Sequence, residues 1–115
     1  GVRWYYIGPD APMHLWVATG GIRVVGLAAW IVTYELYSAD SRLYVSDLIV
    51  DGDVRGRGIG GALMSAVVDW GRAHGIAKLG WEVWHRNESA KAFYRGLGAV
   101  RDHEAQSFLI ELPTG

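Results

Sequence analysis

The sequence predicts an α+β domain in which a mixed sheet carries helices on its faces. In the first half, runs rich in Val, Ile, Trp, Tyr and Thr alternate with turn residues, a pattern typical of an antiparallel meander. In the second half, apolar residues recur at helical spacing between further strand-like runs. The predicted order after a short first strand is β-β-β-α-β-α-β-β. A chain of 115 residues has the usual length of one domain, so residues 1–115 are expected to form a single unit.

The first half contains a short first strand over residues 3–7 and the three strands of the predicted meander. The meander strands occupy residues 14–18, 23–37 and 42–50. Gly20-Gly21 is a two-residue hairpin signal between the first and second strands of the meander. Gly26 predicts a bulge, because a glycine inside a strand often marks one. Residues 38–41 are rich in turn formers and predict the next connection.

The second half changes to the helical period. One helix face carries Ile59, Ala62, Leu63, Ala66, Val67 and Trp70. His74 and Gly75 are typical of a helix C-terminus and predict its end. The remaining predicted elements are a strand over 79–85, a helix capped by Asn87 or Ser89 and closed at Gly98, and a hairpin of 100–103 and 107–112.

Composition limits the function classes. The absence of cysteine excludes disulfides, thiolate nucleophiles and zinc–thiolate sites. With 20% charged residues and a net charge of −1, we expect no nucleic-acid partner and no basic membrane surface. We also expect no metal, since no histidine spacing suggests one. The apolar runs are too short to span a bilayer, and the first residues lack signal-peptide order, so the expected compartment is the cytoplasm.

The glycine-rich segment 50–61 joins a predicted strand to a predicted helix. The first turn of a helix has unpaired N–H groups and a partial positive charge. Glycines let an anion approach those groups, and Arg55 and Arg57 add positive charge beside them. The segment therefore predicts a phosphate or pyrophosphate site.

Two other interpretations of this segment stay open. Gly56-x-Gly58-x-x-Gly61 formally matches a dinucleotide fingerprint, with Glu82 at the distance of a ribose-binding acid. That fingerprint, however, requires the strand to run directly into the first glycine, whereas residues 51–55 intervene here. A glycine-rich turn without any ligand is the other alternative. The lack of Gly-Lys-Ser/Thr excludes a Walker-type loop.

Two motifs resemble one known family. Arg55-x-x-Gly58-x-Gly60 resembles the acyl-CoA pyrophosphate loop of the GNAT (Gcn5-related) N-acetyltransferases. Asn87-x-x-Ala90-x-x-Phe93-Tyr94, followed by Leu97-Gly98-Ala99, resembles the family's second motif, at matching separation. The resemblance is strongest over 43–99 and is loosely nearest to the spermidine/spermine (diamine) branch. It implies the GNAT fold, with a splayed central strand pair and N-terminal helices reduced or absent.

The resemblance also implies acetyl-CoA as co-substrate. Its pantetheine arm would pair with the main chain of Leu48, Ile49 and Val50, and one N–H there would polarise the thioester carbonyl. Its pyrophosphate would lie on main-chain N–H groups of Arg55, Gly56, Arg57, Gly58, Ile59, Gly60 and Gly61. Asn87 would contact the pantetheine arm, or cap the following helix, or both.

In the family, an amine attacks the thioester directly in a ternary complex. Tyr94 matches the general acid that protonates the departing thiolate, although a core tyrosine beside Phe93 is the alternative. Asp47 is the first candidate for the general base, followed by His85, Glu82 or a water molecule. Polyamine-type relatives have a glutamate where this chain has Ser46, which puts polyamine specificity in doubt. Strand alternation predicts that Ser46 and Asp47 point to opposite faces.

The implied function is acetyl transfer to a primary amine, of a small molecule rather than a protein. A non-catalytic CoA-binding or interaction module on the same fold is the alternative. Residues 1–13 leave little room for the family's N-terminal wall of the acceptor site. A second copy could supply that wall, and the six tryptophans suit a shared surface, so a homodimer is expected.

Overall fold

The computed structural model of the chain describes residues 1–8, 13–35, 40–82, 86, 88–102 and 108–113. They belong to two units, Gly1–Glu82 and Val83–Gly115. The first unit contains β1 (Val2–Ile7), β2 (His14–Gly20), β3 (Arg23–Glu35), β4 (Asp40–Val50), a 3₁₀ turn (Gly52–Val54), α1 (Ile59–Ala73) and β5 (Leu79–Trp81). The second unit contains α2 (Glu88–Gly96). Neither of these helices is long and apolar enough to cross a membrane.

The strands of the first unit form one mixed sheet in the order β1-β2-β3-β4-β5. Strands β1 to β4 are an antiparallel meander, and β5 lies parallel to β4. The predicted mixed sheet is therefore confirmed, and the short first strand pairs with β2 along its whole length. The predicted turn was too long, because Asp40 and Ser41 already belong to β4.

A bulge interrupts β3 near its start. Ala18 of β2 faces Gly26, whereas Thr19 faces Val24, so Val25 is the extra residue. The predicted bulge therefore lies one residue before Gly26. Gly26 has a different role, since a Cβ there would lie 3.0 Å from side-chain atoms of both Ile59 and Leu63. The missing side chain lets α1 approach β3 closely.

A second bulge lies in β4. Ala29 of β3 faces Asp47 and Trp30 faces Val45, so Ser46 is the extra residue. On its other side, the described pairing of β4 with β5 ends at Val45 and Trp81. The strand predicted over 79–85 thus reaches only Trp81 among the described residues. Glu82 lies outside the strand, and 83–85 lie outside the described residues.

Helix α1 covers one face of the sheet, as predicted. Its buried residues are Ile59, Leu63, Met64, Val67 and Gly71. A Cβ at Gly71 would lie 2.9 Å from Cδ1 of the buried Leu43, so glycine allows close packing at this end too. Ala62, predicted on the apolar face, is exposed because it lies at the edge of that face. The helix ends at His74 and Gly75, whose φ of 74° is left-handed.

Aromatic side chains fill the space between α1 and the sheet. Trp30 is fully buried, and its ring centroid lies 5.6 Å from those of His14 and Trp70. Tyr6 Oη and His14 Nδ1 are hydrogen-bonded at 2.6 Å. Burial lowers the pKa of His14, and the neighbouring His74 lowers it further, so the ring packs in its neutral form.

Four of the six tryptophans belong to this core or pack against it, namely Trp16, Trp30, Trp70 and Trp81. Trp4 is 39% exposed on β1. Trp84 lies outside the described residues.

In the second unit, α2 ends close to the predicted position. Gly98 has a φ of 88° and donates its N–H to the carbonyl of Arg95. The predicted hairpin is wrong for the residues described here, since 100–102 and 108–113 form no strand. Phe108 is 90% exposed. Apolar, strand-prone residues form a strand only where another strand supplies partners for their backbone groups, and the described part of this unit contains none.

The close approach of α1 to β3 predicts a stability effect. Gly26→Val should destabilise the protein by about 1–3 kcal/mol, because the added atoms push α1 away from the sheet. Gly80→Val is the matched control, since a Cβ at Gly80 in β5 meets no atom within 4 Å. Urea denaturation of both variants measures the difference. Equal midpoints for the two variants would show that Gly26 does not determine how α1 packs.

Candidate functional site

The candidate site begins where β4 ends and α1 starts. After the 3₁₀ turn, Arg55 is extended, and Gly56 and Gly58 both adopt left-handed backbone, with φ of 82° and 77°. Side-chain-bearing residues rarely adopt this conformation, so the path of the chain requires glycine at both positions. Gly58 is also the N-cap residue of α1.

The entrance of α1 has the properties of an anion site. The first helical hydrogen bond runs from the Ala62 N–H to the Gly58 carbonyl at 3.0 Å. The N–H groups of residues 59–61 therefore precede the helical ladder. The first turn carries no acidic side chain, and Arg55 and Arg57 are exposed beside it. A Cβ at Gly58 would meet nothing within 4 Å, so the space before these N–H groups is open.

The second part of the site is the edge of β4 beyond its bulge. Leu48, Ile49 and Val50 remain paired with β3 on one side. On the side of β5, the described pairing has already ended at Val45. Backbone groups on that edge can pair with an extended ligand, in the way that a peptide adds to a sheet edge. The edge leads directly into the turn that precedes α1.

Ser46 and Asp47 lie where β4 separates from β5. The Ser46 hydroxyl lies 3.0 Å from Asp47 Oδ2 and 3.3 Å from the Ala29 carbonyl, and its single proton is donated to one of them at a time. The prediction that the two side chains point to opposite faces is therefore wrong. The bulge at Ser46 breaks the two-residue alternation of the strand. Both residues are exposed.

The other predicted site residues are placed less completely. Tyr94 is half-buried on α2, with its ring centroid 5.5 Å from that of Phe93. Burial raises the pKa of the Tyr94 phenol, which therefore keeps its proton at neutral pH. Glu82 is exposed directly after β5. His85 and Asn87 lie outside the described residues. No group of three His, Asp or Glu side chains suited to a metal occurs in the described part of the chain.

Arg23 is a functional candidate that no sequence motif indicated. Arg23, at the start of β3, contacts the carboxylate of Asp51 and lies 3.0 Å from Asp53 Oδ2. Both acids belong to the segment between β4 and α1. The strand register could have indicated this contact, because Gly26 faces Val50 and the neighbouring residues must then lie near the loop. The residue types alone gave no such signal.

Comparison with known proteins identifies the family. A model of the acetyltransferase (GNAT) family matches residues 2–99. The chain belongs to this family. Of the GNAT relatives, streptothricin acetyltransferase of Streptomyces lavendulae is 33% identical over 97 residues, covering 79% of this chain and 47% of that protein. N-acetyltransferase family 8 member 2 of Rattus norvegicus is 32% identical over 89 residues, covering 77% and 39%. The chain thus spans less than half the length of these curated relatives.

Solved structures confirm the predicted GNAT fold. An integron cassette protein from the mobile metagenome of V. cholerae superposes with a TM-score of 0.82 at 25% identity, over 91% of this chain and 65% of that one. An aminoglycoside acetyltransferase from an uncultured soil metagenomic sample, solved in complex with sisomicin, gives a TM-score of 0.80 at 22% identity, over 91% and 69%. The second likeness concerns the fold alone.

The loop geometry predicts the effect of a side chain at Gly58. Gly58→Val should destabilise the protein by about 1–2 kcal/mol, because a branched residue is forced into left-handed backbone. The valine also fills the space before the helix N–H groups, so the affinity for CoA should fall at least about tenfold. Calorimetric titration with CoA measures the affinity. Ala62→Val, on the exposed side of the same helix end, is the control, and an equal loss in both variants would contradict the anion assignment.

Proposed function

We propose that this GNAT domain is an acetyl-CoA-dependent N-acetyltransferase acting on a primary amine of a small molecule. The observation that carries the proposal is the continuity of the β4 edge, which has no partner among the described residues beyond Val45, with the helix entrance. Both features match a single ligand. Such a ligand has an extended arm with amide groups at one end and a pyrophosphate next to that arm. Acetyl-CoA has this chemistry, since its pantetheine arm contains two amides and joins a pyrophosphate.

The length and rigidity of the strand edge suit the extended arm of this ligand. From Ser46 to Val50 the strand edge extends over roughly 13 Å, at about 3.3 Å per residue. Leu48 and Val50 pack against the core, which holds the backbone of this stretch in place. A rigid edge orients an extended arm without loss of backbone entropy on binding. Main-chain groups of residues 48–50 therefore bind the pantetheine, and those of 55–61 bind the pyrophosphate.

The proposed reaction is direct attack of a neutral amine on the thioester carbonyl. The new C–N bond forms, the C–S bond breaks, and the thiolate takes a proton from the Tyr94 phenol. The proton lost by the amine goes to the Asp47 carboxylate, directly or through water, while Ser46 holds that carboxylate by a hydrogen bond. A main-chain N–H on the β4 edge stabilises the negative carbonyl oxygen. Asn87 contacts the pantetheine arm, and His85 or Glu82 stays the alternative base.

The name of one relative guides the choice of acceptor. Streptothricin acetyltransferase is named for acetyl transfer to streptothricin, a small molecule. We place the acceptor of this chain in the class of small polar amines.

Exposed aromatic and apolar side chains on the edge strand β1 support the further proposal of a homodimer. The cytoplasm is the proposed compartment.

The function is tested by release of free CoA thiol from acetyl-CoA across a panel of amines that includes streptothricin and aminoglycosides. Turnover with one or more amines supports the proposal. Tight CoA binding without turnover on any amine would favour a non-catalytic CoA-binding module. Failure to bind CoA, or competition by NAD(P), would reject the acyl-CoA assignment altogether.

Tyr94 should matter for turnover and not for binding. Tyr94→Phe removes the proton donor, so kcat should fall about 10²-fold while the Kd for CoA stays unchanged. Tyr34→Phe is the control, because it removes an exposed hydroxyl from the end of β3. Because burial raises the pKa of Tyr94, wild-type activity should persist to alkaline pH and fall only above the ordinary titration range of tyrosine. Unchanged kcat in Tyr94→Phe would remove this residue from the mechanism.

Asp47 should matter most where the amine is protonated. Asp47→Asn should lower kcat/KM for the amine about tenfold to a hundredfold near neutral pH. The loss should shrink as the pH approaches the amine's own pKa, because solvent then supplies the neutral nucleophile. Asp69→Asn on the exposed face of α1 is the control. An unchanged kcat/KM in Asp47→Asn would assign the base role to His85 or Glu82.

A further inference from the structure

The turn that leads into the glycine loop is fixed at Asp51. The Asp51 N–H donates to the carbonyl of Val25, the bulge residue of β3, at 2.9 Å. Its Oδ1 accepts from the Asp53 N–H at 2.9 Å, and its Oδ2 is held by the Arg23 guanidinium. Asp51 thereby joins the start of β3 to the turn.

The rest of the turn depends on that residue. The Val54 N–H donates to the Asp51 carbonyl at 3.1 Å, and the Arg55 N–H donates to the Gly52 carbonyl at 3.4 Å. Arg55 then leaves the turn in extended backbone toward Gly56. The position of Asp51 therefore sets the direction in which the chain enters the anion site.

The charges around the turn indicate a role for Arg23. Asp51 and Asp53 bring two negative charges to the approach of a site for an anion, and Arg23 contacts both. The hydrogen bond from Arg23 lowers the pKa of Asp51, which therefore stays ionised. The positive charge of Arg55 lowers the same pKa further. Among the described residues, Arg55 is the cation besides Arg23 whose charge acts on Asp51. Without Arg23, the carboxylate would attract Arg55 away from a phosphate ligand.

We propose that Arg23 is a positioning residue for acyl-CoA binding, which holds the turn through Asp51 and leaves Arg55 available to the pyrophosphate. The inference rests on the proposed function of the loop as the acyl-CoA site. Arg23 itself contacts the acids of the turn and has no part in the chemical step. Its loss should therefore weaken binding and leave the chemical step almost unaffected.

The first test compares single variants by calorimetric titration with CoA and by steady-state kinetics. Arg23→Gln should raise the Kd for CoA and the KM for acetyl-CoA about tenfold, with kcat within about twofold. Arg23→Lys keeps the charge and should recover most of the affinity. Arg3→Gln removes an exposed arginine from β1 and should change neither constant. If Arg3→Gln and Arg23→Gln weakened CoA binding equally, the effect of Arg23 would be one of net charge, and the proposal would be overturned.

A double-mutant cycle tests the link to Arg55. Arg55→Gln should weaken CoA binding in the wild type, yet weaken it much less in the Arg23→Gln background, where Arg55 is already diverted. Additive effects would overturn the proposal. If urea denaturation shows that Arg23→Gln does not fold, the same cycle is run with Arg23→Lys. A smaller coupling energy is then expected, and a coupling energy of zero would overturn the proposal. Failure of the wild type to bind CoA would instead refute the proposed function.

Discussion

Strand β4 pairs with β3 along its length, but its described pairing with β5 ends at Val45, where the extra residue Ser46 enters the strand. The rest of the site depends on this separation. Among the described residues, no strand pairs with this edge of residues 46–50, while β3 and the core still hold the strand. The bulge also brings the Ser46 hydroxyl onto the Asp47 carboxylate, which regular alternation would prevent. The bulge thus places the Ser46–Asp47 contact beside the end of the described β4–β5 pairing.

The position of α1 is the second requirement, because its N-terminus must lie at the end of that edge. Glycines allow this placement, since Gly26 and Gly71 let the two ends of the helix approach β3 and β4 closely. The fully buried Trp30 and the partly buried Trp70 fill the space between the helix and the sheet. The bulge at Val25 and the Arg23–Asp51 contact then fix the turn. Helix packing and the shape of the loop therefore depend on the same short segment.

Much of this arrangement follows from local patterns. The alternating runs, the Gly20-Gly21 turn and the apolar stripe of α1 predicted the meander and the helix, because each is determined by neighbouring residues. The glycines at 56 and 58 predicted the loop, since left-handed backbone favours glycine. The bulge at Ser46 and the role of Arg23 depend on strand register, which no local pattern specifies. Among the described residues, the hairpin predicted near the C-terminus is also absent, because strand-forming residues need a partner strand that no local pattern supplies.

The central claim is that the β4 edge and the α1 entrance form one acyl-CoA site. Amide NMR spectra during a CoA titration test it most directly, and the loop glycines provide well-placed probes. We expect the amide resonances of residues 48–50 and of Gly56, Gly58, Gly60 and Gly61 to shift together, with one common dissociation constant. Saturable CoA binding that leaves these resonances unchanged, or that shifts only the loop and not the strand edge, would contradict the claim.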